Sequence, residues 1–126
     1  MTQIQNLIQD LFVHLAARGW DKPNPASLAK SIIIEAAELL EHFQWSEPDL
    51  NTIKNDKIKQ QKIQEELADV MIYCLELAKI LDVDPEAIIR QKIESSALKY
   101  PADLVKNNNE TYWQLKRKAR ENNLEN

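Results

Sequence analysis

The sequence has one glycine and one cysteine in 126 residues, two histidines and few aromatic residues. A chain so poor in glycine, with its five prolines confined to connections and with abundant Leu, Ile, Ala, Glu, Lys and Gln, favours helix throughout. The fold class expected is all-α. Cys74 has no partner for an internal disulfide, and beside Met71 and Leu75 at helical spacing it reads as a small core residue. Basic residues do not dominate either: sixteen against twenty acids give a formal charge of −4, which excludes the broad cationic surface that a nucleic-acid duplex requires. No apolar run approaches a membrane-spanning length, and the start MTQIQNLIQDLFVHL lacks a basic flank, an apolar core and a cleavage site, so a cytoplasmic protein with no membrane partner is expected. There is no glycine-rich phosphate loop, no cysteine cluster and no nucleophile-base pair of useful spacing.

What is present is helical periodicity. From Thr2, a natural N-cap, to about Ala17, Ile4, Leu7, Ile8, Leu11, Phe12 and Leu15 mark an amphipathic helix, with His14 on or near its apolar face as a core histidine. Gly19, Pro23 and Pro25 break the pattern and leave Trp20 in a loop. A second helix from about Ala26 to Gln44 carries Ile32, Ile33, Ala36, Leu39, Leu40 and Phe43 on a wide apolar arc, extended by Ile34 and Ala37, so more than one neighbour is expected to cover it. Ser46, with Asp49 placed to reach back, predicts the N-cap of a short helix or turn over 47–54. The next helix is expected from about Asp56 to Leu81, with Ile63, Leu67, Val70, Met71, Cys74, Leu77, Ala78 and Leu81 as its core stripe. Glu66, Asp69, Tyr73 and Glu76 form a second stripe on it, which a solvated face would also produce. Asp84-Pro85 opens a fourth helix to about Lys99, and Glu110 to about Arg120 has helical composition, with Tyr112, Trp113 and Leu115 as docking residues. Lys116, Arg117, Lys118 and Arg120 crowd its end, where cations suit the helix dipole. One domain over residues 1–126 is expected, with a core of about 2–101 and a tail of 102–126.

Two acidic pairs stand inside mostly apolar runs: Glu35 with Glu38, and Glu66 with Asp69. Residues at i and i+3 share a helix face. Both pairs are also symmetric about Thr52, so an antiparallel hairpin centred there brings all four carboxylates to one height. Buried carboxylates without partners would protonate, whereas a hard cation such as Mg²⁺ takes oxygen ligands of this kind. Singly, each pair reads as a solvated face; jointly they favour a metal site. Di-iron chemistry is disfavoured, because it needs Glu-x-x-His and His42 stands four residues from Glu38 and one from Glu41.

Arg18-Gly19-Trp20, Glu35-x-x-Glu38 followed by Phe43-Gln44-Trp45, Glu66-x-x-Asp69 followed by Tyr73, and Lys92 with Lys99-Tyr100-Pro101 together resemble the MazG-like all-α nucleoside triphosphate pyrophosphohydrolases, including their dCTP pyrophosphatase branch. The resemblance runs from about Arg18 to Pro101. It implies a four-helix-bundle-type fold, a homodimer or homotetramer with sites shared between subunits, and a Mg²⁺-dependent hydrolase, with Mn²⁺ as a substitute. Such an enzyme cuts a nucleoside triphosphate between its α- and β-phosphates and serves nucleotide-pool cleaning. Carried over position by position, Glu35, Glu38, Glu66 and Asp69 would bind metal, and Glu35 or Glu38 would orient the attacking water. Lys92 and Tyr73 would contact phosphate, and Trp20, Trp45 and Ser96 would contact the base. Seven residues beyond Glu38, Trp45 is expected on nearly the same helix face, roughly 10 Å along the axis. The segment from Trp20 to Glu35 is one residue shorter than in the dCTP branch, Ser96 replaces an asparagine, and His14 stands where phenylalanine is common, which leaves the base open. The competing class is a non-catalytic helical oligomer acting as an interaction or regulatory module.

Overall fold

The computed structural model describes residues 1–125, with side chains to Asn123, and contains helices and connections with no strand among the described residues. The helices are α1 Gln3–Ala16, α2 Pro25–Glu41, α3 Leu50–Asn55, α4 Lys57–Ile80, α5 Pro85–Lys99, α6 Ala102–Val105 and α7 Asn109–Glu125. None of them is long and apolar enough to cross a membrane. The chain divides into two compact units, Met1–Pro85 and the remainder from Glu86.

Side-chain caps set most of the boundaries in the first unit. Thr2 accepts the Gln5 N–H at 3.2 Å while the Gln5 side chain accepts the Thr2 N–H at 2.9 Å, a reciprocal capping box for α1. α1 ends in a Schellman turn: Trp20 N–H reaches Leu15 O at 2.9 Å, Gly19 N–H reaches Ala16 O at 3.1 Å, and Gly19 takes the left-handed φ of 73° that the motif needs. Asn24 then accepts from the N–H groups of Ala26 and Ser27, and Pro25 fills the first helical position of α2.

Two boundaries differ from expectation. α2 stops at Glu41, three residues short of Gln44, and closes with i→i−3 bonds from His42 and Phe43. The run His42-Phe43-Gln44-Trp45 is dominated by weak helix formers, and Pro48 disfavours helix just ahead, so nothing prolongs α2 to Trp45. The next helix is capped by Asp49 instead of Ser46. Thr52 offers Asp49 both its N–H and its hydroxyl, each at 2.8 Å, two hydrogen bonds to one carboxylate oxygen that move the start to Leu50. Asp56 caps α4 through the Lys59 N–H at 3.0 Å, near the boundary expected there.

α2 and α4 make the principal helix–helix contact, with α1 and α3 packing more lightly on α4. The faces turned inward include Leu28, Ser31, Ile32, Glu35, Glu38 and Leu39 of α2, and Ile63, Glu66, Asp69, Val70, Tyr73, Glu76 and Leu77 of α4. This corrects the expected core stripe of α4: Ile63, Val70, Leu77 and Ala78 are at least half-buried, but Leu67, Met71, Cys74 and Leu81 are exposed. His14, expected in the core, is exposed as well. The helix is rotated so that its acidic stripe meets the acidic pair of α2, which removes the solvated-face reading of that stripe.

α5 begins at Pro85, the last residue of the first unit, and ends at Lys99 as its cap and proline predict; the short α6 in the second unit has no counterpart in the sequence expectation. Asn108 accepts the Thr111 N–H at 3.1 Å and starts α7, which runs past the expected end at Arg120. Tyr100 and Tyr112 pack with ring centroids 5.1 Å apart, and Lys116 Nζ lies 5.0 Å from the centre of the Trp113 ring.

Candidate functional site

The i, i+3 spacing on α2 and α4 carries directly into a cluster. One carboxylate oxygen from each of Glu35, Glu38 and Glu66 lies within 4.8 Å of the others. Glu38 is the central member, in hydrogen-bond reach of both Glu35 and Glu66. Asp69 stands outside this trio but close enough for its charge to act on Glu35 and Glu66. Glu38 beside Glu66, with Glu35 sensing Asp69, is the order that an antiparallel α2–α4 pair centred near Thr52 produces.

The electrostatics follow from crowding. Desolvation first, then the hydrogen bond and charge of Glu38, then the charges of Asp69 and Glu66, raise the pKa of Glu35 above the ordinary carboxylate range. Glu66 is raised in the same way, by desolvation, Glu38 and Asp69, with His42 opposing. Glu66 Oε2 is screened from solvent and has no hydrogen-bond partner. An acceptor buried in that condition is costly, and a cation is the partner that would satisfy it while relieving the repulsion among its neighbours. The donor set is all carboxylate oxygen, which suits a hard divalent ion.

Beside the cluster lies a groove of about 880 Å³, lined from α1, the following loop, α2 and α4. Asp69 and Tyr73 form its edge toward the acids, and Trp20, Asn24, Ser27 and Ser31 also line it. The Schellman turn after α1 delivers Trp20 there with its indole 62% exposed. Burial first, then the charges of Glu35, Glu76 and Asp69, hold the Tyr73 phenol protonated and therefore able to donate. Trp45 is placed differently: it follows the end of α2 in a bend, 88% exposed, and does not line the groove. Its expected position on the α2 face is thus corrected by the early end of that helix. Lys92 and Ser96 lie on α5 in the second unit, both exposed and one turn apart on a common face. Sequence reasoning did not assign a role to Glu76, Asn24, Ser27 or Ser31; for Glu76 the signal was its place in the Glu66, Asp69, Tyr73 stripe.

The model of the MazG-like family matches residues 30–115. The chain is 30% identical over 102 residues to dCTP pyrophosphatase 1 of Homo sapiens, covering 79% of this chain and 60% of that protein. It is 33% identical over 105 residues to dCTP pyrophosphatase 1 of Mus musculus, covering 81% and 61%. This chain therefore spans about three fifths of the length of these relatives. Among solved structures, a pyrophosphatase from Archaeoglobus fulgidus is 34% identical and superimposes with a TM-score of 0.70 over 80% of this chain and 94% of that one.

Proposed function

The chain belongs to the MazG-like family, and on that premise we propose that residues 1–126 form one Mg²⁺-dependent nucleoside triphosphate pyrophosphohydrolase domain. It takes a nucleoside or deoxynucleoside triphosphate and water, breaks the bond between the α- and β-phosphates, and yields the monophosphate and pyrophosphate. Nucleotide-pool cleaning is the role that fits this reaction. The observation that carries the reading is the α2–α4 acid cluster, with Glu38 touching both neighbours and Glu66 Oε2 buried without a partner.

Glu35, Glu38, Glu66 and Asp69 would hold the metal. Bound there, Mg²⁺, or Mn²⁺ in its place, supplies charge neutralisation for the phosphates. The chain's own residues do the rest. Glu35 or Glu38 orients the attacking water and takes its proton, the task of a carboxylate general base. Tyr73 donates its hydroxyl to a phosphate oxygen, and the base lies against Trp20. The family resemblance further implies Lys92 as a phosphate contact and Trp45 and Ser96 as base contacts. Positioning and charge neutralisation of this kind are what phosphoryl transfer chiefly requires.

The outward faces of the central helices support assembly into a homodimer or homotetramer. Ile33 is 71% exposed and Leu40 60%, and Ile34 and Leu67 are also open to solvent. Apolar side chains at this density on adjacent helices mark a contact surface, and second copies of the chain would cover it.

The test is a panel of canonical and modified nucleoside triphosphates assayed with Mg²⁺ and with chelator. Equimolar monophosphate and pyrophosphate, formed only with the metal, is the expected result. Release of orthophosphate, or no turnover by an intact metal-loaded protein, would favour the interaction module instead.

A further inference from the structure

The acidic stripe of α4 continues past the metal cluster. Seven residues beyond Asp69, roughly 10 Å along the helix axis, Glu76 is buried at 4% exposure, the one charged side chain so placed among the described residues. It lines the same groove as Trp20, Asn24 and Tyr73; His14 also lines that groove, and no lysine or arginine does. A carboxyl buried without a permanent cation in its pocket is unfavourable, and desolvation accordingly raises its pKa. A bound molecule that brings an N–H donor relieves that cost. Asp69 belongs both to the groove wall and to the acidic set, so a molecule anchored by its phosphates at the acids extends along α4 toward Glu76 over a distance comparable to a nucleoside.

Resting on the nucleotide reading above, we propose that Glu76 determines base specificity by accepting a hydrogen bond from an exocyclic amine, so that cytosine and adenine are preferred over their oxo counterparts, uracil and hypoxanthine. A carboxyl oxygen is an acceptor, and glutamate recognises the cytosine amine in this sense elsewhere in base recognition. Stacking on Trp20 fixes the plane of the base and leaves its polar edge for α4. An oxo base sets a carbonyl oxygen against the carboxyl oxygens and is tolerated only while Glu76 keeps its proton. An amine suits the ionised and the neutral carboxyl alike.

The experiment measures kcat/KM with saturating Mg²⁺ for the matched pairs dCTP with dUTP and dATP with dITP. The wild type is expected to favour the amine-bearing member by about tenfold or more. Glu76→Leu should bring each ratio to within about threefold, acting mainly through KM, and Glu76→Gln, whose amide can turn either its carbonyl or its N–H₂ toward the base, should narrow the ratio by improving kcat/KM for the oxo member. An unchanged ratio in Glu76→Leu, with or without a higher melting temperature, would make Glu76 a packing residue and overturn the proposal. Equal rates on both members of a pair in the wild type overturn it whatever the variants do, yet leave the nucleotide reading standing. A wild type that releases pyrophosphate from no triphosphate removes both.

Discussion

The inner and outer faces of the α2–α4 pair both depart from an ordinary amphipathic pattern. Inside, Glu35, Glu38, Glu66, Asp69, Tyr73 and Glu76 stand among Leu28, Ile32, Leu39, Ile63, Val70 and Leu77; outside, Ile33, Ile34, Leu40 and Leu67 are open to water. A helix pair stabilised only by its own packing would keep the acids out and these apolar side chains in. Each face therefore lacks something, and the missing partners differ in kind. The carboxylates need charge of the opposite sign, and the apolar side chains need cover from water. The inner acids thus call for a cation and the outer apolar side chains for a protein surface, which on the proposed assembly is a second copy of the chain.

The strongest way to break that contrast is from inside. Glu38→Gln removes the central carboxylate with little change of volume, so turnover should fall by at least about a hundredfold, the upper end of what loss of a mere supporting group costs a metal site. The Mg²⁺-induced rise in melting temperature should shrink with it. The metal-free variant should be no less stable than wild type, because repulsion has been relieved. Wild-type turnover would remove Glu38 from the site. Attack on the outer face should act on mass instead: Leu40→Lys places a charge in the proposed contact and should weaken self-association by about 3 kcal/mol, roughly a hundredfold in the association constant. Light scattering at micromolar concentration reads this directly, and a wild-type monomer would leave the apolar face without the partner assigned to it.

Trp20 and Trp45, two of the three exposed indoles, extend the contrast. Trp20 lines the groove on the inner side, while Trp45 extends from the end of α2. Trp20→Ala should raise KM by about tenfold or more, the worth of one stacked base, with kcat less affected. Trp45→Ala within a single chain should have the smaller effect; an equal one would mean that Trp45 reaches a base in the assembled oligomer.

The smallest effect is on the pH dependence of metal-free stability. Glu35 and Glu66 have folded pKa values above their unfolded value near 4.5, so between those values the folded chain binds more protons than the unfolded one. Their contribution is thus most favourable below the unfolded value and is lost as pH rises through the folded values. Thermal melts in chelator should show this decline as a difference between wild type and Glu38→Gln, the variant declining less; Mg²⁺ should offset it. An identical profile for the two proteins would separate the cluster from acid–base stability.

The acid pairs were legible because their signal needs only helical periodicity: two i, i+3 pairs mirrored about Thr52 come together in any antiparallel hairpin. The caps at Thr2 and Asp56 were legible for a similar reason, since each is settled within four residues. Trp45 was misplaced because the end of a helix is a competition among weak preferences, here the run from His42 to Trp45 ahead of Pro48. Asp49 prevailed over Ser46 through a second bond to the Thr52 hydroxyl that no spacing rule weighs. Cys74 and Met71 show another limit: periodicity identifies an apolar stripe but not whether the chain itself or another copy covers it. Glu76 shares its spacing with any solvated glutamate, and only the packing of α4 reveals that it is buried.

The Schellman turn at Gly19 also bears on how fast and how orderly an encounter at Trp20 can be. The Trp20 amide is tied to Leu15 O, so the main chain beneath the indole shares the rigidity of α1 even though the ring faces water. The ordering of that segment is completed when the chain folds, well before any planar molecule arrives. Only about two side-chain torsions remain free at the ring. On the base-stacking role proposed for Trp20, association would cost the tumbling of the incoming molecule and little of the freedom of the main chain beneath the indole.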